Sequence, residues 1–183
     1  MLELTFQPFP VLTTERLLFR ELLPTDSDQV YKLRSNPTAM QFLDKAPLTS
    51  KEEALDLISK IKNGVETNDC ITWAIALKEE PDILIGTIGY WRIVKEHYRA
   101  EIGYMLLPQY FNKGYMTEAI NKLNDYAFNE MNLHSIEANI NPANAASEAI
   151  LLKTGFIKEA YFKENYYYNG AFIDSVIFSL VKK

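Results

Sequence analysis

The feature that most constrains this chain is an abrupt change of period around Pro108. Ala100 to Leu107 reads as a strand, and Pro108 stops it because proline has no N–H to give a ladder. A few residues later, Gly114 to Met131 places Met116, Ala119, Ile120, Leu123, Ala127 and Met131 on one helical face, with Glu118, Lys122 and Asp125 on others. A strand feeding such a helix through a short turn needs a sheet for the strand and a sheet face for the apolar stripe. The first N–H groups of the helix have no intrahelical acceptor and carry the positive end of its dipole. The turn Tyr110-Phe111-Asn112-Lys113-Gly114-Tyr115-Met116 is therefore a candidate anion site. Gly114 lets backbone approach an anion closely, and Lys113 adds charge. The turn is not a P-loop, since no Gly-Lys-Ser/Thr follows at the required spacing.

The rest of the chain supplies the sheet. Thr13 to Glu21 reads as a strand, with Leu17 and Phe19 alternating against Arg16, Leu18 and Arg20. Thr25-Asp26-Ser27-Asp28 has capping-box spacing and opens a helix through about Ser35. Pro37 and Pro47 bound a loop. Ser50-Lys51-Glu52-Glu53 is a second capping box, leading into Ala54, Leu57, Ile58 and Ile61 at helical spacing and an end near Gly64. Ile71 to Leu77, Ile83 to Arg92 and Ala100 to Leu107 are close together with short connections, which predicts an antiparallel meander. Ser135 to Ile140 is a strand. Asn144 to Thr154 is a helix with Ala146, Ala149 and Ile150 inward, ended by Gly155 with Phe156 packing back. Glu159 to Tyr168 and Ala171 to Val181 form a hairpin across Asn169-Gly170.

The 183 residues suit one domain, read as 1–183, and 48% apolar residues suffice for a core. A formal charge of −5 argues against nucleic-acid partners, which need Lys and Arg against phosphate. Cys70 is the only cysteine, so neither an intrachain disulfide nor a cysteine-based zinc site is expected. It reads as a small core residue. His97 and His134 are isolated in predicted loops, so no metal is assigned. The start lacks a basic region followed by an apolar one, and no apolar run approaches membrane-spanning length. The expectation is a cytoplasmic protein without membrane partners. An exposed aromatic hairpin would serve as a homodimer face.

Several of these segments, taken in order, resemble the GNAT acetyltransferases, in particular the ribosomal-protein N-acetyltransferase-like (RimJ/RimL-type) branch. Thr14-Glu15-Arg16-Leu17-Leu18-Phe19-Arg20 is similar to the family's opening strand. Ile85-Gly86-Thr87-Ile88-Gly89 and Ala100-Glu101-Ile102-Gly103-Tyr104 resemble its central strands. Lys113-Gly114-Tyr115-Met116-Thr117-Glu118-Ala119 resembles its pyrophosphate loop and helix start. Asn144-Ala145-Ala146-Ser147 and Lys153-Thr154-Gly155-Phe156 resemble its second motif. The loop departs from the family pattern at Phe111, Asn112 and Met116, and retains Gly114. Asn tolerates left-handed backbone, so Asn112 can make the turn. The position of Met116 on the apolar stripe points it to the core.

The resemblance implies one mixed, mostly antiparallel α/β (α+β) domain, with about seven strands flanked by about four helices. It implies acetyl-CoA as co-substrate and an amine as acceptor, either a peptide N-terminus or a small amine. Backbone N–H groups of Asn112, Lys113, Gly114, Tyr115, Met116 and Thr117 would hold the pyrophosphate. Met105, Leu106 and Leu107 would pair with the pantetheine arm like an added strand. Asn144 would reach the cofactor, or cap its helix, or do both through different atoms.

Acetyl transfer needs a base for the ammonium and a donor for the leaving thiolate. Glu101, a carboxylate in an apolar strand, is the candidate base, because desolvation raises its pKa. Its alternative is an ion pair with Arg99 or Arg20. For the acid, the resemblance to the RimJ/RimL-like branch implies Ser147, ahead of Tyr161, which matches the Tyr that many family members use after the second motif. The alternative for Ser147 is a first-turn role in capping with Asn144. The acceptor walls are expected in the Gln29 to Ile61 helices and the Tyr161 to Ala171 hairpin. The rival readings are a non-catalytic acyl-CoA-binding module and an acetyltransferase of polyamines or an aminoglycoside.

Overall fold

Alternation of large apolar residues builds the sheet. In β2 (Leu17–Arg20) Leu17 and Phe19 are fully buried while their neighbours are partly covered. In β3 (Ile71–Leu77) Ile71, Trp73 and Ile75 point one way and Ala74 the other. The structure, a computed structural model, describes all residues, Met1–Lys183. It adds β1 (Leu12–Thr13), β4 (Glu80–Val94), β5 (Arg99–Leu106), β6 (Ser135–Ile140), β7 (Ile157–Tyr168) and β8 (Ala171–Val181) in the spatial order β1-β2-β3-β4-β5-β6-β8-β7. The helices are α1 (Ser27–Ser35), α2 (Pro37–Met40), α3 (Lys51–Glu66), α4 (Tyr115–Asn129) and α5 (Ala145–Lys153). The sheet thus has eight strands, where about seven were expected, and the helices number five, since α2 is a single extra turn.

The predicted meander is β3–β4–β5, antiparallel throughout. Every other pairing is antiparallel except β5–β6, whose parallel ladder covers only Arg99–Glu101 against Ser135–Glu137. Beyond Glu101 the two strands part. The core lies on both sides of the sheet. Trp73, Ile88, Ile102 and Leu106 pack with Met116, Ala119, Ile120 and Leu123 of α4 on one side. Leu33 of α1, Ile58 of α3, Ala74, Leu84, Met105 and Leu107 pack on the other.

Local chemistry moves several predicted boundaries. Thr13 to Glu21 is not one strand: the Leu17 N–H donates to Thr14 Oγ1 at 3.0 Å and turns the chain between β1 and β2. The box at Thr25 and Asp28 does not form. Asp26 faces inward instead, accepting from the Leu23 N–H and from both terminal nitrogens of Arg20, each at 2.8 Å. Pro24–Asp26 is a 3-10 turn, so α1 starts at Ser27. Pro37 opens α2 rather than a loop, with Asn36 Oδ1 capping the Thr38 and Ala39 N–H groups. Ser50 Oγ caps Glu53 as expected, but the Glu53 carboxylate returns to the Thr49 N–H and hydroxyl, one residue early. The third helix runs through Gly64 to Glu66. Gly64 packs there because a Cβ would stand 2.4 Å from Cys70 Sγ. Asn169 and Gly170 both take positive φ, as a tight hairpin with the sheet's twist requires.

Candidate active site

The cleft forms where β5 and β6 part. Its volume is about 410 Å³, and its walls are the end of β5, the turn before α4, and one face of α5. After Leu106 the chain makes a 3-10 turn at Pro108–Tyr110, passes Asn112 at φ +58 and Gly114 at φ +80, and enters α4 at Tyr115. Two left-handed residues thus fall within three positions, with Lys113 between them. Gly114 offers no capping side chain, so the first-turn N–H groups of α4 have no side-chain acceptor. The turn is braced from behind by Arg16. Its Nη1 donates to the Lys113 carbonyl at 2.9 Å, its Nε to Glu118 at 2.7 Å, and its guanidinium lies 4.5 Å from the Tyr115 ring centre. Arg16 has no spacing signal in the sequence, because the contact spans about a hundred residues.

Of the residues predicted to bind cofactor, Met105, Leu106, Asn112, Gly114, Tyr115, Met116, Thr117 and Asn144 line the cleft, as does Ser147. Leu107 and Lys113 do not. Leu107 is buried with Met105 against α1 and α3, and Lys113 Nζ lies over the Tyr110 ring at 5.4 Å. Met116 is buried in the core, as its stripe position required. Ala146, Ala149 and Ile150 were expected inward; they line the cleft instead, and Ser147 and Leu151 are the buried residues of α5. The short side chains of Ala146 and Ala149 leave room there beside Ile150 and Lys153.

Asn144 Oδ1 accepts from the Ser147 N–H at 3.1 Å and caps α5. This leaves the Ser147 hydroxyl free for another partner. That partner is Tyr104, whose hydroxyl lies 2.6 Å from Ser147 Oγ across the splay. Burial pushes the Tyr104 phenol up to about 12, opposed by the bond to Ser147. The pair holds two hydroxyl hydrogens and uses one between its members, so one remains free to donate into the cleft. Sequence reading named Tyr161 as the competing hydroxyl. Tyr161 is exposed on β7, and its hydroxyl donates to Asp174 instead. The signal for Tyr104 was parity, since it shares a β5 face with Leu106.

Glu101 lies on the opposite face of β5, in a depression of about 110 Å³ with Arg92, Arg99 and Glu137. It is 6% exposed. Desolvation pushes its carboxyl up to about 7, against the pull of Arg92 and Lys45 and with the push of Glu137. Its partner is neither Arg99 nor Arg20. Arg92 Nη1 stands 3.3 Å from Glu101 Oε2, while Arg99 pairs with Glu137 and Arg20 with Asp26. Arg92 reaches Glu101 because its backbone is at φ +47, beside the irregularity in the β4–β5 ladder between Trp91 and Val94. Tyr166 on the hairpin donates to Asp44, joining the two expected acceptor walls. Cys70 is half-buried with its thiol pushed up by burial, which disfavours the nucleophilic form. No group of three or more His, Cys, Asp or Glu residues clusters as a metal site. No helix is long and apolar enough to cross a membrane.

Residues 16–157 match the family described as acetyltransferase (GNAT) domain. The uncharacterized N-acetyltransferase YoaA of Bacillus subtilis (strain 168) is 33% identical, over 95% of this chain and 98% of its own. A GNAT-family acetyltransferase from Bacillus anthracis superposes with a TM-score of 0.82 at 28% identity, covering 94% of this chain and 98% of that one. Ribosomal-protein-S5-alanine acetyltransferase from Vibrio fischeri superposes with a TM-score of 0.83 at 25% identity, covering 94% and 96%. With its splayed central strands, its glycine turn into α4 and this breadth of similarity, the chain belongs to the GNAT acetyltransferases, enzymes that move an acetyl group from acetyl-CoA to an amine.

Proposed function

We propose that this enzyme acetylates the amine of a peptide N-terminus, with Glu101 accepting the ammonium proton and the Tyr104–Ser147 pair serving the leaving sulfur. The observation that carries the reading is the placement of a buried carboxyl and a part-buried hydroxyl pair on opposite faces of β5, where it parts from β6. Glu101 and Tyr104 are three residues apart, roughly 10 Å along a strand, so Glu101 takes the proton through water. A carboxyl near neutrality is half ionised at working pH, which suits a base. The acetyl thioester supplies an electrophilic carbonyl carbon. As the amine nitrogen bonds to that carbon and the carbon–sulfur bond breaks, the free hydroxyl hydrogen of the pair passes to sulfur, and the second proton leaving the nitrogen replaces it on the pair, so that amide and thiol leave.

The cofactor fits the residues present. Asn112, Gly114, Tyr115, Met116 and Thr117 would hold the pyrophosphate by their N–H groups, and Met105 and Leu106 would pair with the pantetheine arm along the unpaired end of β5. Asn144 would hold α5 in place through its cap. The peptide reading is favoured over a polyamine by the similarity to the ribosomal-protein enzyme and by the cations Arg92 and Lys45 beside Glu101. The exposed Phe162, Tyr167 and Phe172 of the hairpin suit contact with a second copy, which sedimentation would detect. A panel of peptides and small amines with acetyl-CoA, read by thiol release, tests the function. Release with spermidine and none with any peptide would overturn the acceptor assignment.

A further inference from the structure

Four of the five arginines hold carboxylates: Arg16 with Glu118, Arg20 with Asp26, Arg92 with Glu101 and Arg99 with Glu137. Arg34 holds none. It sits in the last turn of α1, partly buried, and its Nε is enclosed without a hydrogen-bond partner. Its Nη1 meets only Met105 Sδ, at 3.3 Å. A thioether is a weak acceptor for a group with five donors. Enclosing a cation without an anion is unfavourable, and burial accordingly lowers the Arg34 pKa. The chain has 24 acidic residues, yet none answers this guanidinium. An absent partner that is not part of the chain is the economical explanation.

The position of Arg34 says which molecule brings that partner. Met105 shares one face of β5 with Gly103 and Glu101, whereas Tyr104 and Leu106 face α4. Arg34 therefore meets β5 from its Glu101 side, through Met105, which also lines the cleft at the glycine turn. Glu101 and Met105 are four residues apart, roughly 13 Å along the strand. Between them Gly103 has no side chain, and the Trp91 ring lies against it: a Cβ there would stand 3.5 Å from the ring nitrogen and 3.7 Å from Cδ1. The face carries a carboxyl at one end and an unanswered guanidinium beside the other, with the Trp91 ring between them. Lys45 and Arg92 both lie over the Trp91 ring at its side, at 5.4 and 4.4 Å.

We infer that Arg34 receives a carboxylate of the acceptor, so that the preferred acceptors are amines carrying a carboxylate roughly 6–10 Å from the nitrogen. This rests on the acetyl-transfer reading above and narrows its substrate class. Two sources have that chemistry: a peptide with Asp or Glu at its second or third residue, and a free ω-amino acid.

The test is thiol release from acetyl-CoA with the full chain. One arm compares Ala-Glu and Ala-Gln peptides with amidated C-termini, a second compares 6-aminohexanoate with its amide, and spermidine is the cationic control. The expected result is a kcat/KM roughly 10–100-fold higher for the acidic member of one pair. Arg34→Gln should erase that preference by raising KM for the acidic acceptor alone. The KM for acetyl-CoA and for the neutral acceptor should hold. Arg34→Lys, which keeps the charge and the fold but loses the two-pronged donor, should recover part of the preference. Turnover of neutral or cationic amines with no gain from the carboxylate would overturn this inference and leave acetyl transfer standing. A preference that survives in both variants would overturn it too. No thiol release from any amine would overturn both readings together.

Discussion

Replacing Glu101 with glutamine separates what the carboxyl does for chemistry from what it costs the fold. The residue is 6% exposed, and its carboxyl is pushed from 4.5 to about 7, with loss of water as the largest cause. A carboxyl whose folded pKa lies above its unfolded pKa binds its proton more tightly in the folded state. The stability this contributes is complete below the unfolded value and is lost as pH rises through about 7. A rise from 4.5 to about 7 corresponds to roughly 3 kcal/mol. Glutamine is close in shape and carries no charge at any pH. The Arg92 side chain is 63% exposed, so it returns to water when its partner is neutralised.

Glu101→Gln should therefore match the parent in stability near about pH 4.5 and exceed it by up to roughly 3 kcal/mol near about pH 8. For a chain of this size that is a rise in Tm of about 6–12 °C at the higher pH. Urea unfolding followed by tryptophan fluorescence measures it, with the m-value unchanged. The same variant should lose about 10²–10⁴-fold in turnover at saturating acetyl-CoA, the range for a lost general base. A stability difference that does not change with pH, or a variant less stable than the parent at the higher pH, would mean that Glu101 is solvated. A solvated carboxylate has an ordinary pKa, and the case for it as a base near neutrality would go with it.

Four further outcomes follow from the geometry. Arg92→Gln removes the strongest pull on the Glu101 carboxyl, so the acid limb of the kcat/KM profile should move above about 7; an unmoved limb would detach that limb from Glu101. Ser147→Ala removes the hydroxyl beside Tyr104 and should lower kcat about 10²-fold with the acetyl-CoA KM unchanged, and unaltered turnover would count against the pair. Gly114→Ala forces a side chain into φ +80 with its Cβ 3.4 Å from Arg16 Nη2. It should cost about 1–2 kcal/mol locally and weaken acetyl-CoA binding by calorimetry, while wild-type affinity would show that the turn does not contact the cofactor. Gly64→Ala places a Cβ 2.4 Å from Cys70 Sγ and should destabilise by about 1–3 kcal/mol, with Cys70→Ala restoring most of it; a neutral Gly64→Ala would mean α3 slides freely on its neighbour.

Much of the fold was legible because its long elements repeat a period. The stripe from Met116 to Ala127 named α4 and the face it buries, and Asn169-Gly170 named the hairpin. The errors fall where a side chain competes with the backbone. Asp26 was read as part of a helix start, but two Arg20 nitrogens and the Leu23 N–H draw it inward. Such a contact depends on β2 already being in place, which no local window contains. The Glu101 partner was missed for a related reason. Period-two reading points Arg92 and Glu101 by strict alternation, and the ladder irregularity after Trp91 rotates Arg92 out of that pattern.

The division of β5 into two faces has a further consequence, because the two proposed proton steps sit on opposite sides of one strand. Glu101, Gly103 and Met105 line one face, and Tyr104 and Leu106 the other. In an unbroken sheet no small molecule could meet both faces, since neighbouring strands stand about 4.8 Å apart. The β5–β6 ladder stops at the Glu101–Glu137 pair, two carboxylates side by side. Like charges directly opposite weaken a strand pair, and here they stand at the last rung before the strands separate. Glu137 also pushes the Glu101 carboxyl upward. One juxtaposition thus marks the end of the ladder and tunes the proposed base. Glu137→Gln should accordingly lower the Glu101 pKa and shift the acid limb of kcat/KM downward, opposite to Arg92→Gln. If the two substitutions moved the limb in the same direction, electrostatic tuning of Glu101 by its two flanking strands would be the wrong account.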